Sequence, residues 1–303
     1  MDETLKSLAK NAGSKKNSLE LLNYIRTNKV RRPDLVLEYG KGLLSYGSSL
    51  GDELWTIHEQ IFQAALDFGE TEISQQSLTA LEKQFPGSSR VKRLSGMFQE
   101  SKENYDAAET IYKALLQENP ANTLVTKRLI AIQLAKGKTA AAVKLLNAYL
   151  TESPADTSAW QKLAEIHMSI SNYEAAAFCY EELVLAEPAM ASHHLRLGEL
   201  YYTLGEGLGG SGSLEQFRLA RKHFSRAIEL SKPGLNPRAH MGLCMTAAAY
   251  ASCKGAKGDL EINAFLHELG KDTLAEAYSA AGQKNLGNIT ASILAAQAEG
   301  LSR

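Results

Sequence analysis

Four prolines, Pro86, Pro120, Pro154 and Pro188, recur every 34 residues, and this period constrains the fold more than any other feature of the chain. A fixed period of that length marks stacked supersecondary units, none of which can bury its apolar face alone. Proline lacks the N–H that a continuing helix donates, so each one marks where the second helix of a unit stops. The other residues keep the same phase. In Thr157–Met190, Trp160, Leu163 and Ala164 recur at helical spacing and are followed by Ala176, Tyr180, Leu183 and Pro188. Ser89–Asn122 repeats this with Gly96, Tyr105, Ala108, Tyr112, Leu115 and Pro120. Thr123–Asp156 does so with Leu129, Ala142, Leu146, Tyr149 and Pro154. Upstream, Trp55–Ser88 keeps Ile61, Phe62, Ala65, Leu78 and Leu81 but has Ser74 at the small position. After Pro188, Leu197, Gly198 and Tyr201 restart the pattern, while Ala220, Phe224 and Ala227 come ten residues late.

The Thr157–Met190 unit is similar to the tetratricopeptide (TPR) pattern W-x2-L-G…A-x3-F…P, with Ala for Gly, Tyr for Phe, and His167 where a tyrosine is usual. The expected fold is all-α: a TPR-type right-handed α-solenoid with helical caps at both ends. Its helix pairs turn near residues 103, 137 and 171, and the small residues Ala108, Ala142 and Ala176 sit where paired helices cross at close range. Residues 1–51 form an N-terminal helical cap, with one helix around Leu19, Leu22, Tyr24 and Ile25 and another over Pro33–Tyr46. Residues 52–232 hold about five repeats. The last is interrupted at 205–213, GEGLGGSGS, which is expected to be a flexible loop. Beyond Pro233 and Pro237 the period is lost, and 233–303 reads as capping helices over Arg238–Ser252, Asp259–Ala280 and Lys284–Gly300.

Composition narrows the function. The apolar share of 44% is ordinary for a folded chain, and a net charge of −1 argues against general affinity for nucleic acid or acidic membranes. Cys179, Cys244 and Cys253 show no CxxC spacing and leave an odd one, which suits a reducing compartment. Cys179 is expected as a small buried hydrophobe. Met1–Lys16 is polar, without the apolar core of a signal peptide, and no run approaches the roughly 18 apolar residues of a membrane span. The expected location is therefore cytoplasmic, with membranes reached only through partners.

No catalytic, cofactor or metal motif is present. Gly205-Glu-Gly207-Leu-Gly209-Gly210 matches GxGxxG in letters, yet a nucleotide site needs a strand before it and a helix N-terminus at the pyrophosphate. Here a helix ending in Tyr201–Leu204 precedes it. No Walker sequence occurs. The histidines form neither HExxH nor a Cys/His cluster, and the adjacent His193 and His194 project from different sides of a helix.

Function then falls to the concave surface lined by the first helix of each repeat. Its facing positions include Arg90, Arg93 and Met97, then Leu124, Lys127 and Leu134, then Gln161 and Met168. Arg93 and Lys127 occupy one position in adjacent repeats, with Arg90 a turn away. This makes a basic patch beside an apolar Leu124–Leu134–Met168 strip, suited to an acidic or amphipathic segment. The carboxylate clamp of chaperone-adaptor TPR domains is not available. Its asparagine position holds Gln63, Met97, Ala131, Glu165 or Glu199, and the next one holds Arg128.

One stretch is more specific. Leu50-Gly51-Asp52-Glu53-Leu54-Trp55, His58-Glu59-Gln60, Gln84-Phe85-Pro86-Gly87-Ser88, Arg90–Leu94, Tyr105–Ala108, Gln117–Pro120 and Ala175–Cys179 together resemble the subunit 2 family of the endoplasmic reticulum (ER) membrane protein complex, over about Leu50–Leu230. The resemblance implies a TPR scaffold on the cytosolic side of a membrane-protein insertase. It would hold a second cytosolic subunit and the cytosolic tails of membrane subunits, and insertion itself would be the work of other subunits. Two other readings stand beside it: a TPR adaptor in a different soluble assembly, and an enzyme using an uncharted site.

Overall fold

A computed structural model describes residues 3–208, 211–231, 236–253, 256 and 259–298. These residues form sixteen α-helices and one 3-10 turn, Gly47–Leu50, with no strand among them. The chain divides into two compact units, Met1–Leu145 and Leu146–Arg303, and the division falls inside α9.

In the first unit, α1 (Glu3–Asn11), α2 (Lys15–Thr27) and α3 (Pro33–Leu44) precede the pairs α4 (Glu53–Phe68)/α5 (Thr71–Gln84) and α6 (Ser89–Ser101)/α7 (Tyr105–Glu118). These are followed by α8 (Thr123–Ala135) and the start of α9 (Thr139–Glu152). The helix α1 was not anticipated. Lysines at positions 6 and 10 interrupt its short apolar stripe, but Leu5 and Ala12 are buried in one core with Leu21, Leu22, Ile25, Val36 and Ile61. A helix of nine residues is marginal alone and is held by this packing.

The second unit holds the end of α9, then α10 (Thr157–Ser169)/α11 (Tyr173–Ala186) and α12 (Ala191–Gly207)/α13 (Ser211–Leu230). It closes with α14 (Pro237–Ser252), α15 (Leu260–Ala280) and α16 (Lys284–Ala298). Here the glycine-rich stretch departs from the expected loop. Gly205–Gly207 end α12 and Ser211–Ser213 begin α13; Gly209 and Gly210 lie outside the described residues, as does Pro233. α12 runs 17 residues against the 13 of α10, and α13 runs 20 against the 14 of α11, so the ten extra residues lengthen both helices. The physical reason is packing. Gly205 lies against the Phe217 ring, 2.6 Å from where a Cβ would stand, and Ser213 Oγ donates to the carbonyls of Gly205 and Leu208 at 2.8 and 2.7 Å.

The paired helices cross where side chains are smallest. Ala108, Ala142 and Ala176 are fully buried, and Ser74 fills the same position with its hydroxyl donating to the Thr71 carbonyl at 2.8 Å. In α6, a Cβ on Gly96 would stand 2.3 Å from the Tyr112 ring, so only glycine lets that ring lie on the helix backbone. Phe224 is held likewise between Gly198 and Gly242. The buried thiols of Cys179 and Cys244 are pushed up to about 12 by burial, leaving them inert packing groups.

The turns between paired helices are one motif used four times. Gly69, Glu103, Gly137 and Ser171 stand 34 residues apart and all adopt left-handed backbone, with φ of 80, 59, 69 and 57°. Each following N–H closes a six-residue bond to the helix before it: Glu70 to Ala65, Asn104 to Gln99, Lys138 to Gln133 and Asn172 to His167, at 2.8–2.9 Å. This is the Schellman ending, which satisfies carbonyls the helix leaves free. At the other end of the repeat, Phe85, Asn119 and Glu187 leave the helical region, with ψ of 64, 94 and 68°, because a proline follows each. Between repeats two and three, Lys136 Nζ bonds Asp106 at 2.7 Å and also reaches Glu109, whose carboxyl is held down to about 2 by Lys113 and Lys136.

Two predictions follow from this packing. Ala176→Leu and Gly96→Ala overpack their crossings, and each lowers unfolding free energy by about 1–3 kcal/mol in urea titration; neutral substitutions would contradict the close crossings. Glu103→Gly and Ser171→Gly relieve a left-handed residue that carries a Cβ, and each raises stability by on the order of 1 kcal/mol, whereas Gly137→Ala lowers it. A loss of stability on Glu103→Gly would sink that account.

Candidate partner-binding surface

In the first unit α4, α6 and α8 present their facing residues to a groove of about 830 Å³, closed on one side by the α2–α3 turn. Gln60, Gln63 and Asp67 come from α4, Met97, Glu100 and Ser101 from α6, and Arg128 from α8. Arg26, Lys29, Arg31 and Arg32 come from α2 and the turn after it. Lys29 takes the left-handed position at the end of α2, with φ 52°, and the Val30 N–H bonds the Ile25 carbonyl at 3.0 Å. The Schellman ending therefore turns the chain so that the run Lys29-Val30-Arg31-Arg32 meets the groove.

The groove is built from ion pairs. Arg31 grips Asp67 with two bonds of 2.9 Å, and Arg128 Nη1 donates to Glu100 at 3.2 Å. Glu100 also accepts from the buried Tyr112 hydroxyl, whose pKa is raised by burial and by that carboxylate. The lining carries five basic residues against two acidic ones. Arg32 pairs with Asp34 and Arg26 with Glu53 at 3.6 Å, which leaves a modest positive excess at Lys29 that favours an anionic occupant.

The expected facing residues are distributed as follows. Arg90 is exposed and paired with Glu59 at 2.6 Å, which offsets much of its charge. Arg93 is half-buried, and its Nε is enclosed without a hydrogen-bond partner among the described residues. Met97 is half-buried on the groove wall, Leu134 is half-buried, and Leu124 and Lys127 are exposed on α8, Leu124 at 56%. Gln161 and Met168 belong to α10 in the second unit. Gln161 is exposed with Nε2 donating to Glu165 at 3.3 Å, and Met168 is half-buried. Of these residues only Met97 lines the first-unit groove; Arg90, Arg93, Leu124, Lys127 and Leu134 lie outside its lining. Arg128, with four cations of the α2–α3 region expected only as part of a cap, takes their place. The signal was the charge run Lys29–Arg32 just before Pro33.

No group of three or more His, Cys, Asp or Glu among the described residues could hold a metal ion. His193 bonds Glu187 at 2.9 Å. His194 Nε2 bonds the Pro188 carbonyl at 3.1 Å, so its Nδ1 is the acceptor for the Nδ1–H of His223 at 3.0 Å. Burial, then His194 and Lys222, bring His223 down to about 4 from its ordinary 6.5. The unfolded chain binds that proton first, so stability is full above about pH 6.5 and falls as pH drops towards 4. His223→Phe is expected to flatten the melting temperature against pH across this window; an unchanged slope would remove His223 from the account.

The comparisons with known proteins meet this region. The family described as the EMC2 TPR-like repeat domain matches residues 82–206. ER membrane protein complex subunit 2 of Xenopus tropicalis is 46% identical over 109 residues, 36% of this chain and 37% of that protein. The Dictyostelium discoideum protein of the same name is 31% identical over 116 residues, 37% and 36% of the two chains. The chain thus matches little more than a third of the length of these relatives. In structure, the C-terminal part of a TPR repeat-containing protein from Cytophaga hutchinsonii superposes with a TM-score of 0.53 at 12% identity, covering 89% of this chain and 93% of that one, which supports the helical TPR fold. Over residues 82–206, the chain is thus similar to the EMC2 TPR-like repeat domain family.

Proposed function

We propose that the chain is a non-catalytic TPR scaffold subunit of the ER membrane protein complex. It holds a second cytosolic subunit and the cytosolic tails of membrane subunits while transmembrane helices are inserted. The observation that carries this reading is the family match over 82–206, which takes in α6 and α8, two of the helices that wall the basic groove. A groove of polar and ion-paired walls with a cationic excess suits an extended acidic segment of a partner better than a small apolar ligand. Among the described residues no helix is long and apolar enough to cross a membrane. Residence on the cytosolic face of the ER would then come through partner subunits.

Partner contacts are proposed for Met97 in the groove and for Arg90, Arg93, Leu124, Lys127 and Leu134 elsewhere in the first unit, and separately for Gln161 and Met168 on α10 of the second. Apolar contacts such as Leu124 would hold the partner, while exposed charges govern orientation and association rate.

The test is mass spectrometry of material co-purified from detergent-solubilised membranes, with ER membrane protein complex subunits as the expected set. A soluble complex from membrane-free lysate in their place would favour an adaptor of another assembly. With the partner in hand, Leu124→Ser is expected to weaken binding by about 1–2 kcal/mol through faster dissociation. Lys127→Glu is expected to slow association several-fold at low salt, with little change at high salt, roughly as other interface charges do. Circular dichroism controls for folding. Arg93 is left intact because a carboxylate at its enclosed position would unsettle the fold. Unchanged rates in both folded variants would move partner docking off this surface.

A further inference from the structure

The helix α15 carries a surface that the repeats do not account for. Ile262, Phe265 and Leu269 are 52, 66 and 47% exposed, although each is large and apolar. At about 100° per residue they fall within an arc of roughly 60°, and Glu276 continues the same line towards the C-terminus. The orientation of α15 is firmly set from the other side. Asn263, His267, Gly270 and Leu274 are buried, and Gly270 lies so close to Cys244 that a Cβ would stand 2.4 Å from its sulfur. The stripe is therefore presented by the packing of the helix.

Its edge is acidic. Glu261, Glu268 and Asp272 are exposed and fall within about 60° of the stripe on one side. Lys271 pairs with Glu268 and feels the neighbouring Asp272 at longer range, while Glu261 and Glu276 form no ion pair among the described residues. Residues 260–280 hold these four carboxylates against that single lysine. An apolar line with a carboxylate edge is complementary to a helix that has leucine-like residues on one face and lysine or arginine beside them. A second copy of this chain would set one acidic edge against another, and an anionic bilayer would be repelled by it.

We propose that α15 docks a basic amphipathic helix of a partner protein through Ile262, Phe265 and Leu269, with Glu261, Asp272 and Glu276 setting its orientation. This surface lies outside the family match at 82–206 and stands whether or not the assembly proposed above is correct.

The experiment uses the full chain and a fluorescein-labelled synthetic helix of about 15 residues, long enough to span the stripe at 1.5 Å per residue. It carries leucines on one face with flanking lysines, and its counterpart carries glutamates in place of the lysines. Anisotropy titration is expected to show saturable binding of the lysine peptide and binding at least about tenfold weaker for the glutamate one. Phe265→Ser with Leu269→Ser is expected to lower affinity for the lysine peptide by about tenfold or more. The surface variant Glu261→Lys, Asp272→Lys, Glu276→Lys should reverse the preference between the peptides, and it keeps the test decisive if the serine variant misfolds. Equal binding of both peptides, or unchanged preference in the lysine variant, would overturn the proposal. Stripe-dependent dimerisation in sedimentation velocity would assign the surface to a second copy. Stripe-dependent flotation with phosphatidylserine–phosphatidylcholine vesicles would assign it to a membrane, and either result overturns the proposal.

Discussion

The close crossing of paired helices at a small residue is the constraint on which the other features rest. Tyr112 lies on the backbone of α6 because Gly96 has no side chain, and its hydroxyl is thereby placed on Glu100, the carboxylate that also anchors Arg128 in the groove. One packing contact thus sets the second helix of a repeat, the groove wall and the charge of its lining. Phe224 plays the corresponding part in the second unit, lying against glycines of α12 and α14 at once. A methyl group at any of these points would separate helices whose spacing positions every facing residue.

The turns enforce the same geometry from the chain's side. Each Schellman ending reverses direction within two residues and satisfies the last carbonyls of the first helix, so the second helix starts at a fixed angle. Two of the four turns use glycine, while Glu103 and Ser171 adopt the same left-handed backbone with a side chain. That conformation persists because the six-residue bonds and the packing around the pair outweigh a local cost of on the order of 1 kcal/mol. The ending recurs at Lys29 after α2 and at Gly282 between α15 and α16, so the segments outside the 34-residue period use the same device.

Charge has a different role in the two places where it gathers. In the groove, cations are mostly paired with carboxylates of neighbouring helices, which fixes side-chain positions and leaves a modest positive excess. Along α15, four carboxylates flank an apolar stripe against a single lysine, Lys271. Exposed pairs contribute little to stability, so both arrangements bear more on partner choice than on the fold.

The repeat architecture was legible in the sequence because its determinants are local and periodic. Pro86 to Pro188 end helices, Ala108, Ala142 and Ala176 permit the crossings, and the turns at 103, 137 and 171 fall at the expected phase. The same period places Met97 and Glu100 of α6 towards the groove, whereas on α8 it is Arg128 that lines it. Tertiary structure decided what depends on distant contacts. The stretch 205–213 reads as a flexible loop by composition, yet Gly205 against Phe217 and the Ser213 hydroxyl draw its ends into two lengthened helices. α1 has too short an apolar stripe to declare itself and folds on the core of α2 and α3. The groove's cations on the α2–α3 turn, and the counter-ions that offset Arg90 and Arg128, arise from residues at least 28 positions apart, which no local pattern can pair. Periodicity determines which face of a helix turns inward; only the packed chain determines which charges that face meets.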